Sequence, residues 1–223
     1  MKTKRILAVL KVPLLMLLLI SWAIALPILC RPFYFAHVTP YRLEEESGLT
    51  RAEIREAYNE MLDYCIGTRK EFSTGVLPWS EEGKAHFTDC RSLFRLDFAV
   101  AGGSLLLLLL IALLNKRKPE KPVRRPLPCF WAGCLAGGLF LLLGGAILAD
   151  PDAAFVAFHH VFFPGKTNWL FDPAKDAVIT ILPEDFFIHC GILIAAVILL
   201  GSLVMILAGG PRKNAVSAEK KKK

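Results

Sequence analysis

The chain has 223 residues, of which 54% are hydrophobic and 21% are charged, and its mean hydropathy is +0.47. Charged residues make up about a quarter of an ordinary soluble domain, so this composition excludes that class and predicts a membrane protein. The net charge of +7 does not predict nucleic-acid binding. Its basic runs flank apolar stretches and lack interleaved aromatic residues, a pattern typical of anchoring at lipid headgroups.

Four apolar runs are long enough to cross the roughly 30 Å hydrocarbon core of a bilayer as helices. They cover 12–30 (within an N-terminal segment 1–30), 96–114, 127–149 and 186–209. The sequence therefore predicts an α-helical integral membrane protein, a four-transmembrane-helix bundle with a small extracytoplasmic cap made of 31–95 and 150–185. Close helix packing is expected at glycines of the third and fourth spans: Gly133, Gly137, Gly138, Gly144, Gly145, Gly191 and Gly201.

The distribution of Lys and Arg predicts the orientation of these spans. The N-terminus, the loop 115–126 and the tail 210–223 carry 16 basic residues against two acids, whereas the cap segments carry 11 basic and 17 acidic residues. We therefore expect both termini in the cytoplasm. The first span is expected to be a retained anchor, because the residues before Cys30 are not the small ones that a signal peptidase needs.

The first cap segment contains an amphipathic helix in TRAEIREAYNEMLDYCIG. Thr50 and Glu53 have the spacing of a capping box. An apolar stripe follows at helical intervals, comprising Ile54, Tyr58, Met61, Leu62 and Cys65. We expect this helix to pack against the bundle or the lipid interface, in a structural role.

A second helix is predicted in SEEGKAHFTDCRSLFRLDF, with Ser80 as its cap, running directly into the second span. His86 would then lie about 15 Å above the apolar run. Asp89 is three residues further on, where it can accept a hydrogen bond from the imidazole or hold another residue of the cap. Cys65 and Cys90 are the two cysteines well inside this cap segment, and a disulfide between them is one of the options.

The second cap segment, DAAFVAFHHVFFPGKTNWLFDP, places two histidines among aromatic residues. A helix from Pro151 to Phe163 would bring Phe155, His159, Phe162 and Phe163 together and turn His160 about 100° away. Apolar surroundings keep an imidazole neutral and able to act as a base near pH 7. Five aromatic side chains are candidates for binding substrate: Phe155, Phe158, Phe162, Phe163 and Trp169. Burial of the phenylalanines in lipid is the alternative.

The ordered set YNEMLDY, SEEGKAHFTDCRSLF, FHHVFF, NWLFDP and LPEDFF, placed between four spans, resembles the bacterial lipoprotein intramolecular transacylase family. The match covers most of residues 50–190. The resemblance implies an enzyme of the bacterial cell membrane with its site at the extracytoplasmic face. It would move an acyl chain from the glyceryl sn-2 oxygen of a diacylglyceryl lipoprotein to the amino group of the same lipoprotein's N-terminal Cys.

The resemblance also implies two essential histidines, His86 in KAHFTDC and His159 in FHHVFF, with His160 as the adjacent option for the second. We expect His159 to act as general base and His86 as general acid, or the reverse. Asp89 or a backbone carbonyl would fix the tautomer of His86. No cofactor or metal is expected, and the partners are the lipoprotein substrate and membrane lipid. At position 90 the family pattern leads us to expect an aliphatic residue, a difference that concerns packing.

Two alternatives remain open at this stage. A metal-dependent membrane hydrolase would use His86, His159, His160 and Glu184 as ligands, although the chain has no pair of histidines at i and i+4. A scaffold, or a protein that binds haem or quinone, would use His37, His86 or His189; of these His189 lies one turn inside the fourth span, where an ionisable group is a functional candidate.

Overall fold

The computed structural model describes residues 2–115 and 126–211, which are helical with irregular connections. In these residues the helices are, in chain order, α1 (Lys2–Leu29), α2 (Arg31–Phe35), α3 (Leu43–Ser47), α4 (Arg51–Ile66), α5 (Glu81–Asn115), α6 (Pro128–Ala149), α7 (Pro151–Phe162), the 3₁₀ helix Ala177–Ile181 and α8 (Glu184–Gly209). The basic runs predicted for the cytoplasmic loop and the tail fall largely on 116–125 and 212–223, outside the described residues.

Four of these helices are long and apolar enough to cross a membrane. The apolar spans lie in Ile6–Leu29, Glu81–Leu114, Pro128–Ala149 and Glu184–Gly209, which confirms the four predicted spans. Helix α1 lies in the middle and packs against α5, α6 and α8, while α6 packs along α8. The prediction of a four-helix bundle with a cap is confirmed.

Glycine allows α6 to approach α8 closely. A methyl group at Gly133 would lie 2.7 Å from the backbone oxygen of Ser202, and one at Gly137 would lie 3.1 Å from the Ser202 Cβ. At Gly201 it would lie 2.5 Å from Leu19. The prediction is wrong for Gly138, Gly144, Gly145 and Gly191, which have no such neighbour among the described residues. Only the face turned toward a partner helix needs a small side chain.

The cap has one apolar core to which both cap segments contribute. Helix α4 begins with the predicted capping box, in which Thr50 and Glu53 bond reciprocally, and its apolar stripe is buried. The ring of Tyr34 stacks on Tyr58 with centroids 3.6 Å apart. The Tyr34 hydroxyl donates to the backbone oxygen of Ile181 over 2.8 Å. Because that bond is buried, it fixes the second cap segment onto the first.

The start of α5 is tied to the second cap segment by Asp176. Its carboxylate accepts hydrogen bonds from the backbone N–H and the hydroxyl of Ser80, over 2.8 and 2.7 Å. The Ser80 oxygen in turn accepts from the backbone N–H of Gly83 over 3.0 Å, which confirms Ser80 as the predicted cap. The helix that carries His86 is therefore attached at its first turn to the segment that follows His159.

Candidate functional site

Two histidines from different cap segments lie close together. His86 on α5 and His159 on α7 have ring centroids 6.1 Å apart and planes tilted by 32°. Their side chains are buried, with exposed fractions of 7% and 8%. His160 is exposed and touches the edge of Trp169, with centroids 6.3 Å apart. The structure thus places His159, and not His160, against His86.

Aromatic rings enclose this pair. Phe163 lies 4.8 Å from His86 and 5.7 Å from His159 between ring centroids. Trp169 stacks on His159 at 4.3 Å, and both Phe163 and Trp169 are buried. Phe171 lies 5.4 Å from His86 and was not predicted, because it follows an irregular stretch in which sequence spacing does not indicate direction.

The remaining candidate aromatic residues lie on the outer side of α7. Phe155 contacts His159 and Phe158 lies 5.4 Å from it, measured between ring centroids. Phe162 packs on Phe158, with ring centroids 4.7 Å apart; the expected grouping of Phe162 with His159 stays a prediction. All three phenylalanines are 40–50% exposed, and they form an apolar surface beside the histidine pair.

The surroundings of His159 favour a neutral imidazole with a free lone pair. Its Nδ1 lies 2.8 Å from the backbone oxygen of Phe155. A carbonyl oxygen only accepts, so Nδ1 carries the hydrogen and Nε2 keeps a lone pair. Burial lowers the pKa of His159, the Phe155 carbonyl opposes this, and the neighbouring His160 adds to the lowering. The neutral form is therefore the dominant one at pH 7.

Within the described residues, the ring of His86 has one polar contact. Its Nε2 lies 3.5 Å from the sulfur of Cys90. Its Nδ1 is buried and has no hydrogen-bond partner among the described residues. A protonated ring would bring a charge and a further donor into these aromatic surroundings, so the neutral form is favoured.

Asp89 holds a residue of the cap, the second of the two roles predicted for it. Its carboxylate pairs with the ammonium group of Lys166 over 2.5 Å and accepts from the side-chain amide of Asn168 over 3.4 Å. Its hydrogen bonds therefore go to the turn that follows α7 and not to the imidazole of His86. These bonds tie the segment that carries Trp169 to α5.

The cysteines and the other histidines bear on the alternatives. Cys65 and Cys90 are free thiols, so the disulfide considered above is not formed. Within 2–115 and 126–211 no three His, Cys, Asp or Glu side chains are grouped as a metal site requires. His37 and His189 lie together, with centroids 5.2 Å apart and a hydrogen bond between His189 and Tyr41, whereas His86 belongs to the pair described above.

Comparison with known proteins assigns the chain to a family. The family model described as lipoprotein intramolecular transacylase Lit matches residues 9–187. No curated protein sequence matches the chain. The solved structure of the membrane-integral lipoprotein intramolecular transacylase Lit from Bacillus cereus is similar with a TM-score of 0.82 at 22% identity, over 99% of this chain and 98% of that one.

Two structures of Bacillus cereus Lit variants, in which one histidine is replaced by arginine or by alanine, are also similar. Each has a TM-score of 0.76 at 21% identity and covers 99% of this chain, with 94% of the arginine variant and 96% of the alanine variant covered. These likenesses establish the shared fold, and the family model matches well over half of the chain. The chain therefore belongs to the lipoprotein intramolecular transacylase family and is a multi-pass membrane enzyme.

Proposed function

We propose that this transacylase moves the acyl chain from the glyceryl sn-2 oxygen of a diacylglyceryl lipoprotein to the amino group of that lipoprotein's own N-terminal cysteine. The product is the lyso-form lipoprotein. The observation that carries the proposal is the pair of buried imidazoles in an aromatic pocket. An ester-to-amide transfer within one substrate needs proton transfer and confinement, and it needs no nucleophile from the enzyme.

His159 is suited to act as the general base. Because its Nδ1–H is held by the Phe155 carbonyl, Nε2 is free to accept a proton from the attacking amine. A positioned base of this kind contributes a rate factor of about 10² to 10⁴. Confinement of amine and ester in attack geometry contributes about 7–11 kcal/mol more.

His86 is suited to act on the acid side of the reaction. A neutral ring N–H facing the ester donates a hydrogen bond to the oxygen that gains negative charge. The amine nitrogen then bonds to the carbonyl carbon as the bond to the sn-2 oxygen breaks. The proton that His159 takes from the amine is the one the departing glyceryl oxygen needs, so the enzyme ends the cycle unchanged. The opposite assignment of the two histidines remains the competing version of this mechanism.

The site is proposed to lie at the extracytoplasmic face, with both termini in the cytoplasm. The support is the excess of Lys and Arg near the termini and in the loop 115–126. The half-exposed Phe155, Phe158 and Phe162 lie beside the pocket, where acyl chains would enter from the bilayer. Labelling cysteines introduced at each terminus and in the cap with a membrane-impermeant thiol reagent on intact cells tests this topology.

Mass spectrometry of a lipoprotein N-terminus, with and without the enzyme, tests the reaction. The expected product carries an N-acyl group and has lost one O-acyl group, at unchanged total mass. His86→Ala and His159→Ala should abolish it while the protein still accumulates in the membrane. His160→Ala, which changes the exposed neighbour, is the matched control and should remain active. A fully active His86→Ala, His159→Ala double variant would refute the two-histidine mechanism.

A further inference from the structure

Among the residues that the structure describes, no carboxylate or carbonyl oxygen is hydrogen-bonded to the His86 ring. The tautomer of His86 is therefore not set by a group of either kind. Asp89 is engaged by Lys166 and Asn168. In the part of the chain that the structure describes, the one polar contact of the ring is the sulfur of Cys90, 3.5 Å from Nε2 and one helical turn along α5. That distance is within the range of a hydrogen bond involving sulfur. Only 7% of His86 is exposed, so solvent does not substitute for a partner.

We infer that Cys90 is a positioning residue, whose S–H donates to Nε2 of His86 and thereby holds the ring in the tautomer that carries its hydrogen on Nδ1. The Cys90 thiol is half-buried and lies next to the Asp89 carboxylate, and these surroundings disfavour a thiolate, so the thiol stays protonated. A thiol is a weak donor and its sulfur is also only a weak acceptor, whereas the lone pair of a neutral imidazole is a good acceptor. The direction from S–H to nitrogen is therefore the favoured one. This inference rests on the proposed function for its catalytic meaning.

In this assignment the opposite nitrogen of the same ring, Nδ1, carries the hydrogen. Nδ1 is buried and lacks a partner among the described residues, and the ring lies against His159 and Phe163. A buried donor without an acceptor is unfavourable. The arrival of an ester oxygen would satisfy it. Cys90 would thus keep an N–H ready for the oxygen that gains charge, which is the form of preorganisation that lowers a barrier.

The tautomer can be measured directly, without any activity assay. Full-length protein labelled with ¹⁵N-histidine in lipid nanodiscs gives separate signals for protonated and unprotonated ring nitrogens, and His86→Ala identifies the signals of His86. The wild type and Cys90→Ser, which keeps a hydroxyl donor, should show the hydrogen on Nδ1. Cys90→Val and Cys90→Ala should show a mixture of tautomers or the hydrogen on Nε2.

A matched control is available in Cys65, a buried thiol whose sulfur approaches the Phe87 carbonyl and Met61. Cys65→Ala should leave the His86 signals unchanged. An unchanged tautomer in both Cys90→Val and Cys90→Ala would overturn the inference. So would a wild-type spectrum with the hydrogen on Nε2.

Turnover adds a second readout. Loss of one modest hydrogen bond predicts that kcat of Cys90→Val falls about 2- to 10-fold with little change in KM, and that Cys90→Ser restores it. A loss of a thousandfold or more in both variants would instead identify Cys90 as a covalent nucleophile and overturn the positioning role. If the wild type forms no lyso-lipoprotein, the proposed function fails while the tautomer measurement still decides the role of Cys90.

Discussion

Gly83 should be intolerant of even a methyl group, because of its contact with Asp176. A Cβ at Gly83 would clash with Asp176 Oδ1 and lie 2.6 Å from its Cγ. Asp176 is buried, with 5% of the residue exposed, and its carboxylate holds Ser80 through two hydrogen bonds. In Gly83→Ala the carboxylate must withdraw and both bonds are lost.

The magnitude follows from those two bonds. Hydrogen bonds to a charged group contribute about 1.5–3 kcal/mol each. Replacing a helical glycine by alanine normally raises the free energy of unfolding by about 0.5–1 kcal/mol. We therefore expect Gly83→Ala to lower the free energy of unfolding by about 2–5 kcal/mol. Acyl transfer should also fall, since the segment released from α5 is the one that positions Trp169 and Phe171 around the histidines.

Thermal unfolding in detergent micelles, together with the mass-spectrometric assay, measures both effects. Gly102→Ala is the matched control, because Gly102 lies in the same helix and a methyl group there would have no neighbour within 4 Å among the described residues. Gly83→Ala combined with Asp176→Ala should be no less stable than Asp176→Ala alone, since the clash is gone. Equal stability of Gly83→Ala and Gly102→Ala, or full additivity in the double variant, would refute the reasoning.

Three further outcomes are expected. Since the pKa of His159 is lowered, its ¹⁵N signals should report a mainly neutral ring at pH 6.5, where an unperturbed imidazole is half protonated. We also expect kcat to fall only at lower pH. A His159 ring that is already half charged at pH 6.5 would contradict this prediction. Asp89→Ala should reduce turnover about as much as Lys166→Ala, and the double variant should be no worse, because both remove one ion pair. Gly133→Val should lower the thermal midpoint, because its first carbon would meet the Ser202 oxygen at 2.7 Å; an unchanged midpoint would mean that α6 and α8 are further apart.

Hydropathy and local spacing predicted much of the architecture. Each apolar run was long enough to have one stable conformation in lipid, a helix, so the four spans could be placed from composition. The capping box at Thr50 was equally readable, since it depends on residues three apart. Features that depend on residues close together in the chain can be predicted directly from the sequence.

Contacts between segments that are distant in the chain were harder to predict from the sequence. That His159 lies against His86 was expected only through the family resemblance, since no periodicity links α7 to α5. Asp89 had the right spacing to reach His86, but Lys166 competes for its carboxylate with a full positive charge. Cys90 was interpreted as a packing difference, because an i, i+4 contact between a thiol and an imidazole becomes significant only once the better partners are engaged elsewhere.

The distance between the two histidines depends on the packing of the membrane helices as well as on the cap. His86 is carried by the same continuous helix that forms the second span, so its height above the bilayer is fixed by α5. His159 lies on α7, and a single residue, Asp150, separates α7 from α6. Asp150 caps α7, because its carboxylate accepts a hydrogen bond from the backbone N–H of Ala153 over 2.9 Å. Both α5 and α6 pack on α1. A displacement of either span therefore changes the distance between the two imidazoles. In the proposed mechanism, close packing within the bundle is therefore as much a requirement for catalysis as the pocket that encloses the rings.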